Sequence, residues 1–342
     1  MRLLEEMKEL TQLRGISGCE DEVREYLIKK IEGHCDSYKV DNMGNLIVHK
    51  KGKKAGEKRV LFSAHMDEVG FIITHITAEG MLHFETVGGV TPAVTAGRPV
   101  LVGKKAVPGV IGTRPIHLLT EEERKDYAKV EDMRIDIGAK DKKEAEEMVS
   151  LGDMATFIGP WKELGENTIL ARAIDDRAGC ALLLEMLRGE LEYDCTFAFV
   201  VQEETGCAGS KAVAFQERPD IAVAVESTTA GDLPTAPEGR QVCRVGAGPV
   251  ISFMDKGTIY PWELYQKATG IAGEAGIPWQ TKEGVFGGND ARSYASSAAG
   301  AKVLAVSLPV RYLHAANTLV NKTDIENTRK LLERLAKELP QG

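Results

Sequence analysis

The residues best suited to chemistry are histidines and carboxylates that follow apolar runs. Arg59-Val-Leu-Phe-Ser-Ala64 leads into His65-Met-Asp67, and Phe197-Ala-Phe-Val-Val201 leads into Gln202-Glu-Glu204. The run 221–225 ends at Glu226, the run 303–308 leads toward His314, and Asp175 and Asp176 open a helical pattern. In open α/β sheets, ligands gather beyond the carboxyl ends of the strands, so five segments would deliver these groups to one edge. That many acids in one place repel one another unless cations neutralise them. Two divalent ions would supply the balance. Nitrogen and oxygen donors without thiolate suit zinc or cobalt, with manganese also compatible. His65 and Asp67, two residues apart on a strand, lie on the same side, which lets Asp67 orient the imidazole. Alone, each piece has a plainer explanation. Glu203-Glu204 could be a solvated pair, Asp175-Asp176-Arg177 a helix start with dipole-matching acids, and His314 a hydrogen-bonded histidine. Their combination favours a metal centre.

The elements that must position these groups are legible from periodicity. Leu3, Leu4, Met7, Leu10 and Leu13 form a helical stripe that Gly15 ends. Ser17-Gly-Cys-Glu20 has the form of a capping box for a second helix carrying Val23, Leu27 and Ile31. Strands are expected at 38–40 and 46–49 around the turn Asn42-Met-Gly-Asn45. The texture changes after Gly70. From 71 to 161 short β-like runs are broken by glycines and by the polar stretch 120–132, with one helix near 142–150. From about Asn167 strands and helices alternate. The last helix is expected to start at a Thr323-x-x-Glu326 box. The fold class expected is α/β, with a central mixed sheet flanked by helices. Residues 1–70 and 162–342 would form one discontinuous domain, and 71–161 an inserted β-rich domain.

Composition narrows the function. At 342 residues with formal net charge −8, the chain does not have the basic lean of a nucleic-acid or anionic-membrane binder. No apolar run approaches the ~20 residues of a membrane span. Six scattered cysteines form no C-x-x-C pair, which argues against a thiolate zinc site. Free thiols and an N-terminus, MRLLEEMKEL, without a signal-peptide pattern point to the cytoplasm. His34, His49, His75 and His83 have no partner motif, and His117 lies beside the charged stretch.

Five segments together resemble the M42 family of metallo-aminopeptidases, which includes tetrahedral and glutamyl aminopeptidases. They are Ser63-Ala-His-Met-Asp-Glu-Val-Gly70, Ile174-Asp-Asp-Arg-Ala-Gly179, Val201-Gln-Glu-Glu-Thr-Gly206, Gly287-Gly-Asn-Asp-Ala291 and Val310-Arg-Tyr-Leu-His314. The resemblance implies a di-zinc exopeptidase-like fold and peptide substrates with a free N-terminus. It implies that His65 and Glu226 hold one metal, that Glu204 and His314 hold the second, and that Asp175 bridges them. Glu203 would be the general base and Asp67 the residue orienting His65. The inserted domain would be a β-barrel-like dimerisation unit, and the dimer a building block for larger homo-oligomers, often dodecamers. This chain has Glu226 where members often have Asp, and Ala315-Ala316-Asn317 where many have Ser and a downstream Glu.

Rival readings keep part of this pattern. A metal-dependent deacylase or amidohydrolase would share the centre and differ in amine recognition. A glycosidase would use paired carboxylates without metal. A degenerate, self-assembling scaffold would hold no ion.

Overall fold

The computed structural model describes residues 2–237 and 239–341. Four strands, Val60–His65, Cys195–Val200, Ile221–Thr229 and Lys302–Arg311, pair in parallel at the centre of a large mixed sheet. They are almost wholly buried, which is why they lack polar alternation. Leu46–Lys50 and Ser37–Val40 extend the sheet on one side. Thr318–Asn321, Thr168–Ala171 and Lys162–Leu164 extend it on the other.

The two faces of the sheet are built differently. Phe62, Phe197, Phe199, Val223 and Val225 point into the larger core, where helices Arg2–Gln12, Asp21–Ile31, Ile174–Arg188 and Lys322–Glu338 pack. The alternate positions Ala198, Ala222, Ala224 and Ala305 face the other layer. Small side chains there let the shorter helices Ala208–Glu217 and Ala291–Ser296 approach closely through Val213, Ala214, Ala291 and Tyr294.

Six further strands close a separate barrel in the order Gly70–Ile76, Leu82–Val87, Arg134–Asp136, Val107–Gly112, Pro99–Val102 and Met154–Phe157. Phe71 centres its core, edge-on to Phe84 and Phe157 with ring centroids 5.0 Å away in each case. The expected helix there is Lys142–Met148, capped by Asp141 accepting from the Glu144 amide. The polar stretch and the segment just before it form short helical turns that leave Ile116, Leu118 and Tyr127 exposed.

Both capping boxes differ from expectation. The Ser17 hydroxyl donates to Asp67 (2.6 Å), and Glu20 accepts from the Gly18 and Gln202 amides instead of closing a box. At the last helix Asn321 is the cap, accepting from the Thr323 amide (2.7 Å). At the last helix an acceptor nearer the chain's entry point satisfies a free amide first, whereas at the second helix no side chain caps the amides.

Arg177 holds the first helix, the His65–Asp67 segment and the Asp175–Asp176 turn together. Its side chain is fully buried and donates to the carbonyls of Met66 (2.8 Å), Leu10 (2.8 Å), Leu13 (3.1 Å) and Gly15 (3.2 Å). Leu10 and Leu13 offer carbonyls at the helix end, where the helix's own amides no longer supply a full set of partners. Glu68 balances the charge, accepting from Arg177 (3.3 Å) and Arg172 (2.9 Å). Replacing Arg177 by Met should cost about 3–5 kcal/mol, because Glu68 and four carbonyls lose a buried partner. Urea denaturation measures this, and a loss below about 1 kcal/mol would show the network to be dispensable.

Candidate metal centre

The parallel strands point the same way, so their carboxyl ends share one edge. Val200 pairs with His65, and Glu226 pairs with Ser307. Glu226 lies inside a strand that runs on to Thr229, beyond the expected end at Glu226. The helix expected to begin at Asp176 runs over Ile174–Arg188, but Asp175 and Asp176 have non-helical backbone angles that break its first turn. His314 follows the fourth strand and has a positive φ of 57°.

His65 is buried, and its two ring nitrogens face different partners. Nδ1 lies 2.9 Å from the Asp67 carbonyl and 3.5 Å from the Asp67 carboxylate. Donation of Nδ1–H to that carbonyl leaves the Nε2 lone pair free. Nε2 lies 3.6 Å from Asp175 Oδ1 and 3.7 Å from Glu226 Oε2. On the other side, His314 Nε2 lies 3.3 Å from Asp175 Oδ2 and 3.2 Å from Glu204 Oε1, while Nδ1 contacts the Gly89 carbonyl (3.2 Å). Gly88 and Gly89 permit this approach. A Cβ on Gly88 would meet Glu204 Cβ at 3.1 Å, and one on Gly89 would meet His314 Nδ1 at 3.1 Å.

The Asp67 carboxylate does more than face the imidazole. It accepts from the Glu203 amide (3.0 Å), the Glu204 amide (3.1 Å) and Ser17. It thereby fixes the turn that presents both glutamates. Ser17 was not anticipated, because its spacing to Glu20 suggested a cap. Asp176 is also fully buried, but its oxygens accept from the His65 and Gly179 amides, so it supports the site through the backbone. Asp290, which lies in a motif segment without an expected role, is buried beside Glu203 and Cys207.

Charge is out of balance here without a cation. Burial and neighbouring carboxylates push Glu203 and Glu226 well above the usual carboxylate range, and burial lifts Asp290 to about 6. His314 rises to about 11 and His65 rises too. Burial opposes both shifts, but the close approach of the Asp175 carboxylate, joined by Glu204 at His314 and by Asp67 at His65, outweighs it. Asp175 Oδ1, Glu204 Oε1 and Glu226 Oε1 are buried without a hydrogen bond. His65, Asp175 and Glu204 bring donor atoms within 4.8 Å of one another, as do His65, Asp176 and Glu226. Donors 3.2–3.7 Å apart match the edge of a tetrahedron around zinc, ~3.3 Å for bonds of ~2.0 Å. The donor set therefore fits divalent ions.

A mixed α/β sheet with histidines and carboxylates converging at its edge defines a class of candidate metal-dependent hydrolase. Comparison with known proteins narrows it. Residues 44–331 match the model of the M42 glutamyl aminopeptidase family. A putative aminopeptidase of Acetivibrio thermocellus is 37% identical over 95% of this chain and 96% of its own length. The lysyl aminopeptidase of Pyrococcus furiosus is 31% identical over 97% of this chain and 96% of its own. The solved TET1 peptidase of Pyrococcus horikoshii, which can assemble into a tetrahedron or a large octahedral shell, superposes with a TM-score of 0.87. It is 39% identical and covers 98% of this chain and 99% of its own. The chain belongs to the M42 family of aminopeptidases.

Without metal, the protein's stability should fall as pH rises from 7 to 10. His65 and His314 have raised pKa values, so their contribution is complete below about pH 6.5 and is lost as pH climbs through the raised values. Glu203 and Glu226 act in the same direction, since the folded state favours their protonated forms. Asp67 and Asp175 are lowered, so their contribution is lost only in acid. The thermal midpoint of chelated protein measures this. A midpoint that is flat or rises from pH 7 to 10 would contradict the charge balance described.

Proposed function

We propose that this protein is an aminopeptidase that removes residues from the free N-termini of peptides, using two divalent ions held at this edge. Zinc or cobalt suits the nitrogen and oxygen donors best, and manganese is also compatible. The observation that carries the reading is the Asp175 carboxylate. One of its oxygens lies 3.6 Å from His65 Nε2, and the other lies 3.3 Å from His314 Nε2. Asp175 would therefore serve both ions, with His65 and Glu226 holding one and Glu204 and His314 the other.

When bound, such ions activate a water for attack and polarise the scissile carbonyl. Glu203 is the general base. Its carboxylate takes a proton from the attacking water and passes it to the leaving amine nitrogen as the peptide C–N bond breaks. Asp67 holds His65 and the amides of both glutamates in register.

Residues 1–70 and 162–342 act as the catalytic domain, and 71–161 as the dimerisation domain of a homo-oligomer. The exposed apolar residues Ile116, Leu118 and Tyr127 support such a role for the barrel, as does the assembly of the TET1 peptidase. Six free cysteines suit the reducing cytoplasm.

Metal analysis with hydrolysis of aminoacyl-p-nitroanilides tests this reading. About two ions per chain are expected, and chelation should abolish release from free-amine substrates. Hydrolysis of N-acetylated substrates at equal or greater rate would favour a deacylase instead. Glu203→Gln should keep its ions and lose roughly 10²–10⁴-fold in kcat. An unchanged kcat in that variant would remove Glu203 from the role.

A further inference from the structure

A cavity of about 360 Å³ opens beside the metal centre. Apart from the metal-centre groups and the Cys207 thiol, its ionisable lining residues are Lys282 and Arg292, both cations. Lys282 is the unusual one. It directly follows the short strand Gln280–Thr281, which pairs with Val250–Ile251, and its amide donates to the Ile251 carbonyl (3.1 Å). That pairing carries the residue into the wall, where it is only 6% exposed.

The Lys282 ammonium makes no hydrogen bond or ion pair with any described residue. The carboxylates whose charge it feels are Asp255 and, more weakly, Glu226. Asp255 is already engaged, accepting from the Gly257 amide (2.7 Å) and the Tyr260 hydroxyl (2.6 Å). Glu226 belongs to the metal centre. Buried charges are ordinarily paired, so an unpaired ammonium in a reaction cavity points to a partner that arrives with the substrate. Ser227 lines the same cavity, and its hydroxyl is buried without a partner.

We propose that the cavity accepts an acidic first residue, glutamate or aspartate, with Lys282 as the charge partner of its side-chain carboxylate. This rests on the aminopeptidase reading above. Family membership leaves the choice open, since the matched family is described as glutamyl while one relative is a lysyl aminopeptidase. A basic first residue would meet Lys282 and Arg292 with like charge.

The test uses metal-loaded enzyme with the p-nitroanilides of Glu, Asp, Leu and Lys. The kcat/KM for Glu and Asp should exceed that for Leu and Lys by about tenfold or more. Lys282→Met should lower the Glu-to-Leu ratio by about ten- to a hundredfold, mostly through KM, as expected for loss of a hydrogen bond between charged groups. Lys282→Arg should keep the order of preference. A wild-type preference for Leu or Lys, or an unchanged ratio in the Met variant, overturns the proposal. A second comparison separates the two carboxylates a peptide can offer. Leu-Gly and Leu-Gly-amide should be cleaved equally, and a strong preference for the free acid would assign Lys282 to the substrate's C-terminus and overturn the side-chain role. Turnover of none of these substrates would instead overturn the aminopeptidase reading. Calorimetric titration with L-glutamate and L-leucine then still decides the role of Lys282. Selective glutamate binding that Lys282→Met removes supports it, and equal binding overturns it.

Discussion

Carboxylates crowded at the edge of a buried sheet constrain everything around them. Asp67, Asp175, Asp176, Glu203, Glu204, Glu226 and Asp290 come together where water is scarce, with two imidazoles among them. A fold can tolerate this only by assigning each oxygen a partner or by reserving it for a cation. Both solutions are present. Asp67 and Asp176 are satisfied by backbone amides, and so become rigid supports. Asp175, Glu204 and Glu226 keep buried oxygens without hydrogen bonds, which is the pattern of ligands waiting for charge.

The scaffold follows from that division of labour. Parallel strands bring the ends of distant segments to one edge, and the alanine-lined face admits the helix that starts beside Asp290. Arg177 anchors the Asp175–Asp176 turn to Met66, so the two segments nearest the centre move as one body. Its guanidinium acts on carbonyls, where a metal would act on carboxylates. One cation is thus built into the chain beneath a site suited to exchangeable ones.

Much of the site was legible because its groups sit at the ends of long apolar runs. The runs before His65, Glu203 and Glu226 signalled buried parallel strands, and the placement of the acids followed. What escaped notice depends on contacts between distant segments. Ser17 and Glu20 matched a local cap, yet they are drawn to Asp67 and Gln202 across the fold. Lys282 sits in the polar stretch Gln280-Thr-Lys-Glu283, which suggests an exposed loop, and only the pairing of two short strands buries it. Asp290 stood in a recognisable segment but had no spacing signal to tie it to Glu203. In the residues themselves the closed barrel showed only as a change of texture, because glycine-broken runs define strands without defining their partners, and its barrel form was expected only from the family resemblance.

His65 lies near the start of the chain and His314 near its end, yet both face the same carboxylate. No short fragment of the protein contains the whole centre, which draws on residues from His65 to His314. A chain emerging from the ribosome carries His65, Asp175 and Glu226 long before it carries His314, and the last central strand must dock before the final imidazole arrives. Contacts of such long sequence separation form late and slowly in folding. The candidate ligands therefore converge only once the last central strand has docked, and ion uptake would report that docking.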